Sequence, residues 1–155
     1  MCNIKNSALY NTDINEIANK LKIKNYIGCF ADNNLPELDN GDCVIVNYQS
    51  DYEGGTHWTA LRRVGKQLIH FDSLGFAVDE PIVNYAKKQG LILLTRPIHI
   101  QDDKSFYCGH YCLEFLKMVN KPKDIFKFYE QYDISETVKA FKANDGKIRS
   151  NLLEW

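Results

Sequence analysis

The sequence predicts a single α+β domain, and three observations carry that expectation: an ordinary globular composition, β-branched runs set between helical periodicities, and one stretch that is apolar around more than half a helix. A chain of 155 residues fits one domain with a real core, because domains most often fall near about 100–150 residues. Hydrophobic residues make up 45% of it and charged residues 25%, which excludes disordered and collagen-like classes. With 19 Lys and Arg against 20 Asp and Glu, no global positive field is available to collect nucleic acid or an anionic membrane.

Ile14, Ile17, Ala18 and Leu21 recur at helical spacing, predicting a helix over about 13–22 with Asp13 and Glu16 as a capping-box variant. Tyr26 to Phe30 reads as a short strand, followed by a turn-rich loop holding Asn33, Asn34, Pro36, Asn40 and Gly41. Cys43 to Tyr48 has the β-branched content of a buried strand. Trp58 to Val64 and Gln67 to Phe71, parted by Gly65-Lys66, read as a hairpin. Asp79 caps a helix with Pro81 in its first turn and Gly90 at its end. Leu91 to Ile98 is the next strand. From Cys108 or Gly109 the residues Cys112, Leu113, Phe115, Leu116 and Val119 trace a deeply buried helix that Lys121-Pro122 closes. Two shorter amphipathic helices follow, one carrying Ile125, Phe126, Phe128 and Tyr129, the other Ile134, Val138 and Phe141. Helices and strands mixed around one buried helix give the α+β class.

No run approaches the roughly 18 apolar residues of a membrane helix, so no membrane partner is expected. Met1 to Lys5 lacks the pattern of a secretory leader, which predicts a reducing compartment. In that setting the five cysteines read as free thiols rather than a disulfide framework.

Four residues form the chemical pattern. Cys108 stands at the expected first turn of the buried helix, where unpaired amides and the positive end of the helix dipole favour a thiolate, the nucleophilic form. Gly109 beside it leaves room for a substrate backbone. His57, in Gly54-Gly55-Thr56-His57-Trp58, enters a strand, with the glycine pair leaving its imidazole accessible against an aromatic wall, and is the natural base for a thiol. Asp72 ends the next strand; if the two strands pair, its carboxylate reaches His57, fixing the tautomer and stabilising imidazolium. Gln101, seven residues before Cys108, offers an amide that, with the Cys108 backbone N–H, would hold a developing oxyanion. Singly, each has a structural reading: cysteines and histidines pack, Asp before Ser and Gly caps turns, and a loop Gln is solvated. Zinc binding by Cys108, His110 and Cys112 with His57 is disfavoured, since Cys-x3-Cys at a helix start is not a common structural zinc spacing. Cys112 is then a packing residue and His110 an exposed or structural one.

Gly-Gly-Thr-His57-Trp58, then Phe71-Asp72-Ser73-Leu74-Gly75, then Gln101 followed after six residues by Cys108-Gly109 together resemble the adenovirus-type (adenain-like) maturation cysteine proteases. The pattern is most similar to the proteases of virophages and Polinton/Maverick elements, over roughly residues 10–120, with Asn25 to Phe30 resembling a family segment. The same catalytic order occurs in proteases specific for ubiquitin-like proteins. The resemblance implies a papain-related fold with permuted chain order, and a thiol endopeptidase with Cys108 as nucleophile, His57 as base, Asp72 as its partner and Gln101 as oxyanion donor. It implies no metal, viral capsid or other structural precursors as substrates, and action in the virion and the host cytoplasm or virus factory. It further implies a preference for small or glycine residues at the scissile bond, in a narrow cleft walled by Trp58 and the 49–55 loop.

Two departures limit the likeness. Adenoviral enzymes use Glu where this chain has Asp72. They are also strongly basic, use DNA as a cofactor and attach an activating peptide through a cysteine between the triad acid and the nucleophile. No cysteine occupies 73–107 here, so an activating peptide, if one exists, is not held by that disulfide. A net charge of −1 gives no ground for a DNA cofactor beyond a local patch of Lys117, Lys121, Lys123 and Lys127. Two other functions stay open: removal of a ubiquitin-like modifier, and a non-enzymatic capsid-associated protein on the same fold.

Overall fold

The computed structural model describes residues 4, 6–48 and 57–153. Helix α1 (Asn11–Lys20) leads into strands β1 (Tyr26–Ala31), β2 (Cys43–Tyr48), β3 (His57–Val64) and β4 (Gln67–Phe71). Helix α2 (Glu80–Gln89), strand β5 (Ile92–Thr95) and helices α3 (Cys108–Met118), α4 (Asp124–Glu130) and α5 (Val138–Leu153) follow. The strands form one sheet in the order β1-β2-β3-β4-β5. β2, β3 and β4 form an antiparallel meander, while β1 and β5 flank it in parallel with β2 and β4. This is the expected α+β class.

The two-residue period of the strands divides the core. Cys43, Ile45, Trp58, Ala60, Ile69 and Phe71 pack with α1, α3, α4 and α5, whereas Val44, Val46, Leu61 and Leu68 pack with Ile82 and Ala86 of α2. Both sheet faces are therefore covered, which explains why β2 reads as a continuous apolar run rather than an alternating one. Helix α3 lies under the centre of the sheet with every residue from Cys108 to Leu116 buried. Phe115 stacks on Phe71 at 4.4 Å between centroids, and Phe128 of α4 meets both rings edge-on.

Several boundaries differ from the sequence reading, each for a local reason. Helix α1 starts two residues earlier, because the Asp13 carboxylate accepts the Tyr10 amide at 2.9 Å and so closes the first turn from inside. Strand β5 stops at Thr95, ahead of Pro97, which lacks the N–H that a ladder needs. Helix α3 ends at Met118 rather than at Lys121-Pro122, since Val119 turns extended. The last helix is long, and its buried face is Ala140, Asn144, Asp145, Ile148 and Leu152. Ile134 and Val138, expected inward, are exposed. Asn144-Asp145-Gly146 is a turn signature in sequence, yet here it continues a helix because tertiary partners take its polar side chains.

Arg62 fixes where α3 ends. Its side chain is 2% exposed and donates to the carbonyls of Leu116 and Val119 at the C-terminus of α3 and to those of Lys24 and Gly41. Burial lowers its pKa, against the Coulombic pull of Cys43 and Asp42. Arg62→Ala is expected to reduce the unfolding free energy by about 3 kcal/mol, because buried carbonyls lose their donor; urea denaturation of the two proteins measures it, and Arg62→Lys should recover only part of the loss.

Candidate active site

The β3–β4 pairing sets the first contact. Its register runs from Val64↔Gln67 to Ala60↔Phe71, so one further step of the same geometry brings Asp72 beside Thr59, diagonal to His57 on the same face. His57 Nε2 then donates to Asp72 Oδ1 at 2.8 Å. The Leu74 amide donates to the same oxygen, also at 2.8 Å. Tyr48, the cross-strand partner of His57, meets the imidazole edge-on at 5.5 Å, and the exposed ring of Phe76 meets it at 6.1 Å.

Cys108 opens α3. One turn further along, the Cys112 thiol donates to the Trp58 carbonyl at 3.3 Å, which pins the first turns of α3 beneath the start of β3 and brings Cys108 within hydrogen-bonding reach of His57. Burial depresses the pKa of His57, but hydrogen bonds to Asp72 and Cys108 and the Coulombic pull of both outweigh it and raise the value to about 10. Imidazolium is the favoured form between an acid and a thiol. Its neighbour His70 behaves oppositely: burial, only partly offset by Asp72, lowers it to about 4. Neutral His70 bridges Tyr48 and Thr95 and so backs the ring that edges His57.

Gln101 is buried beside the acid rather than solvated on a loop. The Ser73 carbonyl accepts the amides of Ile100 and Gln101 at 2.9 and 3.1 Å, and the Ser73 hydroxyl donates to Gln101 Oε1 at 2.5 Å. That donor orients the side-chain amide, leaving Nε2 to bond the Ser105 carbonyl at 3.2 Å and hydroxyl at 3.0 Å. Gly75 lets the two segments approach: its φ is +69° and a Cβ there would stand 2.8 Å from the His99 nitrogen.

All four residues of the sequence pattern lie in this region. Trp58 is buried, with Nε1 donating to the Leu9 carbonyl at 3.1 Å, and it lines a hollow of about 340 Å³ together with Leu9, Tyr10, Phe30 and Asn47. Gly109 is buried, and a Cβ there would meet Leu9, Trp58 and Ile14 at 3.3–3.5 Å, so its missing side chain lets the start of α3 pack closely on the segments that carry them. His110 is buried edge-on to Tyr107, which fits its structural reading. Gly54, Gly55 and the 49–55 loop lie outside the described residues. Among the described residues, no group of three or more His, Cys, Asp or Glu is arranged to hold a metal ion, and no helix is long and apolar enough to cross a membrane. The sequence reading missed Ser73, Ser105 and Tyr48, whose only signal was proximity to the pattern residues.

Family models and curated protein sequences give no match to this chain. Its fold does have a counterpart among solved structures. The crystal structure of the ASFV pS273R protease superposes on 91% of this chain and 68% of its own with a TM-score of 0.62, at 15% sequence identity. The α+β fold seen here is thus shared with the pS273R protease.

Because the folded-state pKa of His57, about 10, lies above the ordinary 6.5, its contribution to stability is complete below about pH 6.5 and is lost as pH rises through about 10. Removing the sulfur in Cys108→Ala should move the His57 titration to lower pH, read from its imidazole resonances by NMR; an unmoved titration would mean that the thiol does not engage the ring.

Proposed function

We propose that this protein is a viral maturation cysteine endopeptidase that cleaves capsid or other structural precursors through Cys108, His57 and Asp72. The observation that carries the reading is His57, held by Asp72 at 2.8 Å on Nε2 and hydrogen-bonded to the thiol at the head of a buried helix. With Nε2 committed to the acid, Nδ1 is the nitrogen that faces sulfur. The likeness in fold to the pS273R protease supports the same reaction class.

In this reading the Cys108 thiolate attacks the scissile carbonyl, and the oxyanion that forms is met by the Gln101 amide and the Cys108 backbone N–H at the start of α3. The His57 imidazolium gives its proton to the leaving amine, and the intermediate collapses to a thioester on Cys108. Neutral His57 then takes a proton from water, which attacks the thioester and releases the acid product and the thiol. Asp72 keeps the imidazole aligned through both proton transfers. No metal or organic cofactor is needed. A preference for small or glycine residues at the scissile bond belongs to the same proposal.

Mass spectrometry of structural precursors from the protein's own source, incubated with wild type and with Cys108→Ala, tests this. Site-specific cuts are expected only with the thiol. Asp72→Ala should slow cleavage without erasing it, in line with a residue that orients the base. Turnover by a folded Cys108→Ala protein would sink the assignment, and cuts confined to a folded modifier ending in Gly-Gly would favour the modifier-removing reading instead.

A further inference from the structure

We propose that residues 6–9 form a strap that sets the spacing of Cys108 and His57, with Asn6 as a positioning residue that acts through Tyr107. This rests on the protease reading and deepens it by making the meeting of nucleophile and base depend on a stretch of chain that precedes α1.

The nucleophile and the base stand on different elements, α3 and β3, and the same short segment grips a sequence neighbour of each. Tyr107, next to Cys108, donates its hydroxyl to Asn6 Oδ1 at 2.8 Å. Trp58, next to His57, donates its indole N–H to the Leu9 carbonyl at 3.1 Å. The buried Leu9 side chain also reaches the other neighbour of the nucleophile, since its Cδ1 lies 3.3 Å from where a Cβ on Gly109 would stand. From Asn6 to Leu9 the chain takes three steps. An extended backbone covers at most about 3.6 Å per step, so the two anchoring residues stand no more than about 11 Å apart. The start of α3 therefore cannot draw away from the start of β3 without breaking one of these bonds.

What makes this more than anchoring is the state of the head of α3. Its N-cap residue is Tyr107, and no side chain caps the first turn, so the bond that usually fixes such a turn is missing. The ring partners Phe106 and His110 belong to the same stretch of chain and move with it. Arg149 of α5 stands 6.0 Å from the Tyr107 ring centroid, the outer limit of a cation–π contact. A hollow of about 110 Å³ lined by Ile4, Asn6, Tyr107, Arg149 and Leu152 lies beside the ring, so packing on that side does not pin it. One turn further along, α3 meets β3 through the Cys112 thiol on the Trp58 carbonyl, and a thiol is a weak donor. The Tyr107 hydroxyl bond to Asn6 is thus the polar tie nearest the nucleophile from outside the helix head. Asn6 itself is exposed, so replacing it removes the acceptor without opening the core.

The test uses the full chain and two measurements: cleavage of a fluorogenic peptide spanning a site mapped in the precursor experiment, and the His57 titration followed by NMR, which needs no substrate. For Asn6→Ala, kcat is expected to fall about 3- to 10-fold, the scale of one hydrogen bond, with KM within about twofold of wild type. The His57 resonances should titrate at lower pH, the direction expected for Cys108→Ala. Tyr107→Phe, which deletes only the hydroxyl, should give the same two changes, and the double variant no more than either alone, because both act on one bond. Asn6→Asp, which keeps an acceptor in place, should hold kcat within about twofold of wild type. An unchanged kcat or an unmoved His57 titration in Asn6→Ala, or losses that multiply in the double variant, would overturn the strap and leave the protease reading standing. A wild-type protein that cleaves no precursor would overturn the protease reading, and the His57 titration of Asn6→Ala would then decide the strap by itself.

Discussion

The antiparallel register of β3 on β4 is the constraint from which the rest of the site is built. Pairing of Ala60 with Phe71 leaves His57 projecting past the end of β4 just where the chain leaves that strand as Asp72. A slip of one residue would send the imidazole and the carboxylate to opposite faces. The register is held from both sides, since alternate residues of the pair enter two separate apolar clusters, one against α3 and one against α2. Core packing and site geometry are therefore the same requirement, and a substitution that loosened either cluster would be felt at the imidazole.

Ser73 extends that register to a second segment. Its carbonyl takes two backbone amides of the 100–101 stretch and its hydroxyl takes the Gln101 side chain, so the position of the amide is measured from the acid. Gly75 makes the approach sterically possible. His99 adds a tie from the far side, its Nε2 bonding the Gln101 carbonyl at 2.6 Å while its ring stacks on Phe141 of α5 at 4.1 Å. Short loops held at both ends and in the middle have little freedom to wander, which suits preorganisation of donors for charge that appears only during reaction.

Helix α3 combines two duties that seldom sit on one element. It is the centre of the core, and its first residue is the candidate nucleophile. The helix carries a carboxylate into the interior to do this, and hydrogen-bond donors from the following segments meet it. Glu114, fully buried, accepts from Tyr132, Gln131 and Asn151, which links α3 to α4 and α5; burial raises its pKa against those bonds. Arg62 answers the carbonyls at the other end. Such networks fix one orientation of a helix that apolar packing alone would leave free to rotate or slide.

Much of this was legible in the chain. Strand periodicity and β-branched content located β2 and β4 to the residue, glycine and proline punctuation located α2, and the apolar breadth of α3 announced its burial, because these depend on interactions between near neighbours in sequence. The pattern residues His57, Asp72, Gln101 and Cys108 were likewise visible as types at suggestive places. What the sequence could not contain was the company they keep. Ile134 and Val138 read as inward residues of a short helix and are exposed, because the helix runs over Val138–Leu153 and turns Ala140, Asn144, Ile148 and Leu152 to the core. Gly109 likewise has neighbours that local sequence does not show, since Trp58 and Leu9 arrive there from distant segments. Local propensity determined the elements; the direction of buried hydrogen bonds, which is settled only when groups far apart in sequence meet away from water, decided what those elements hold in place.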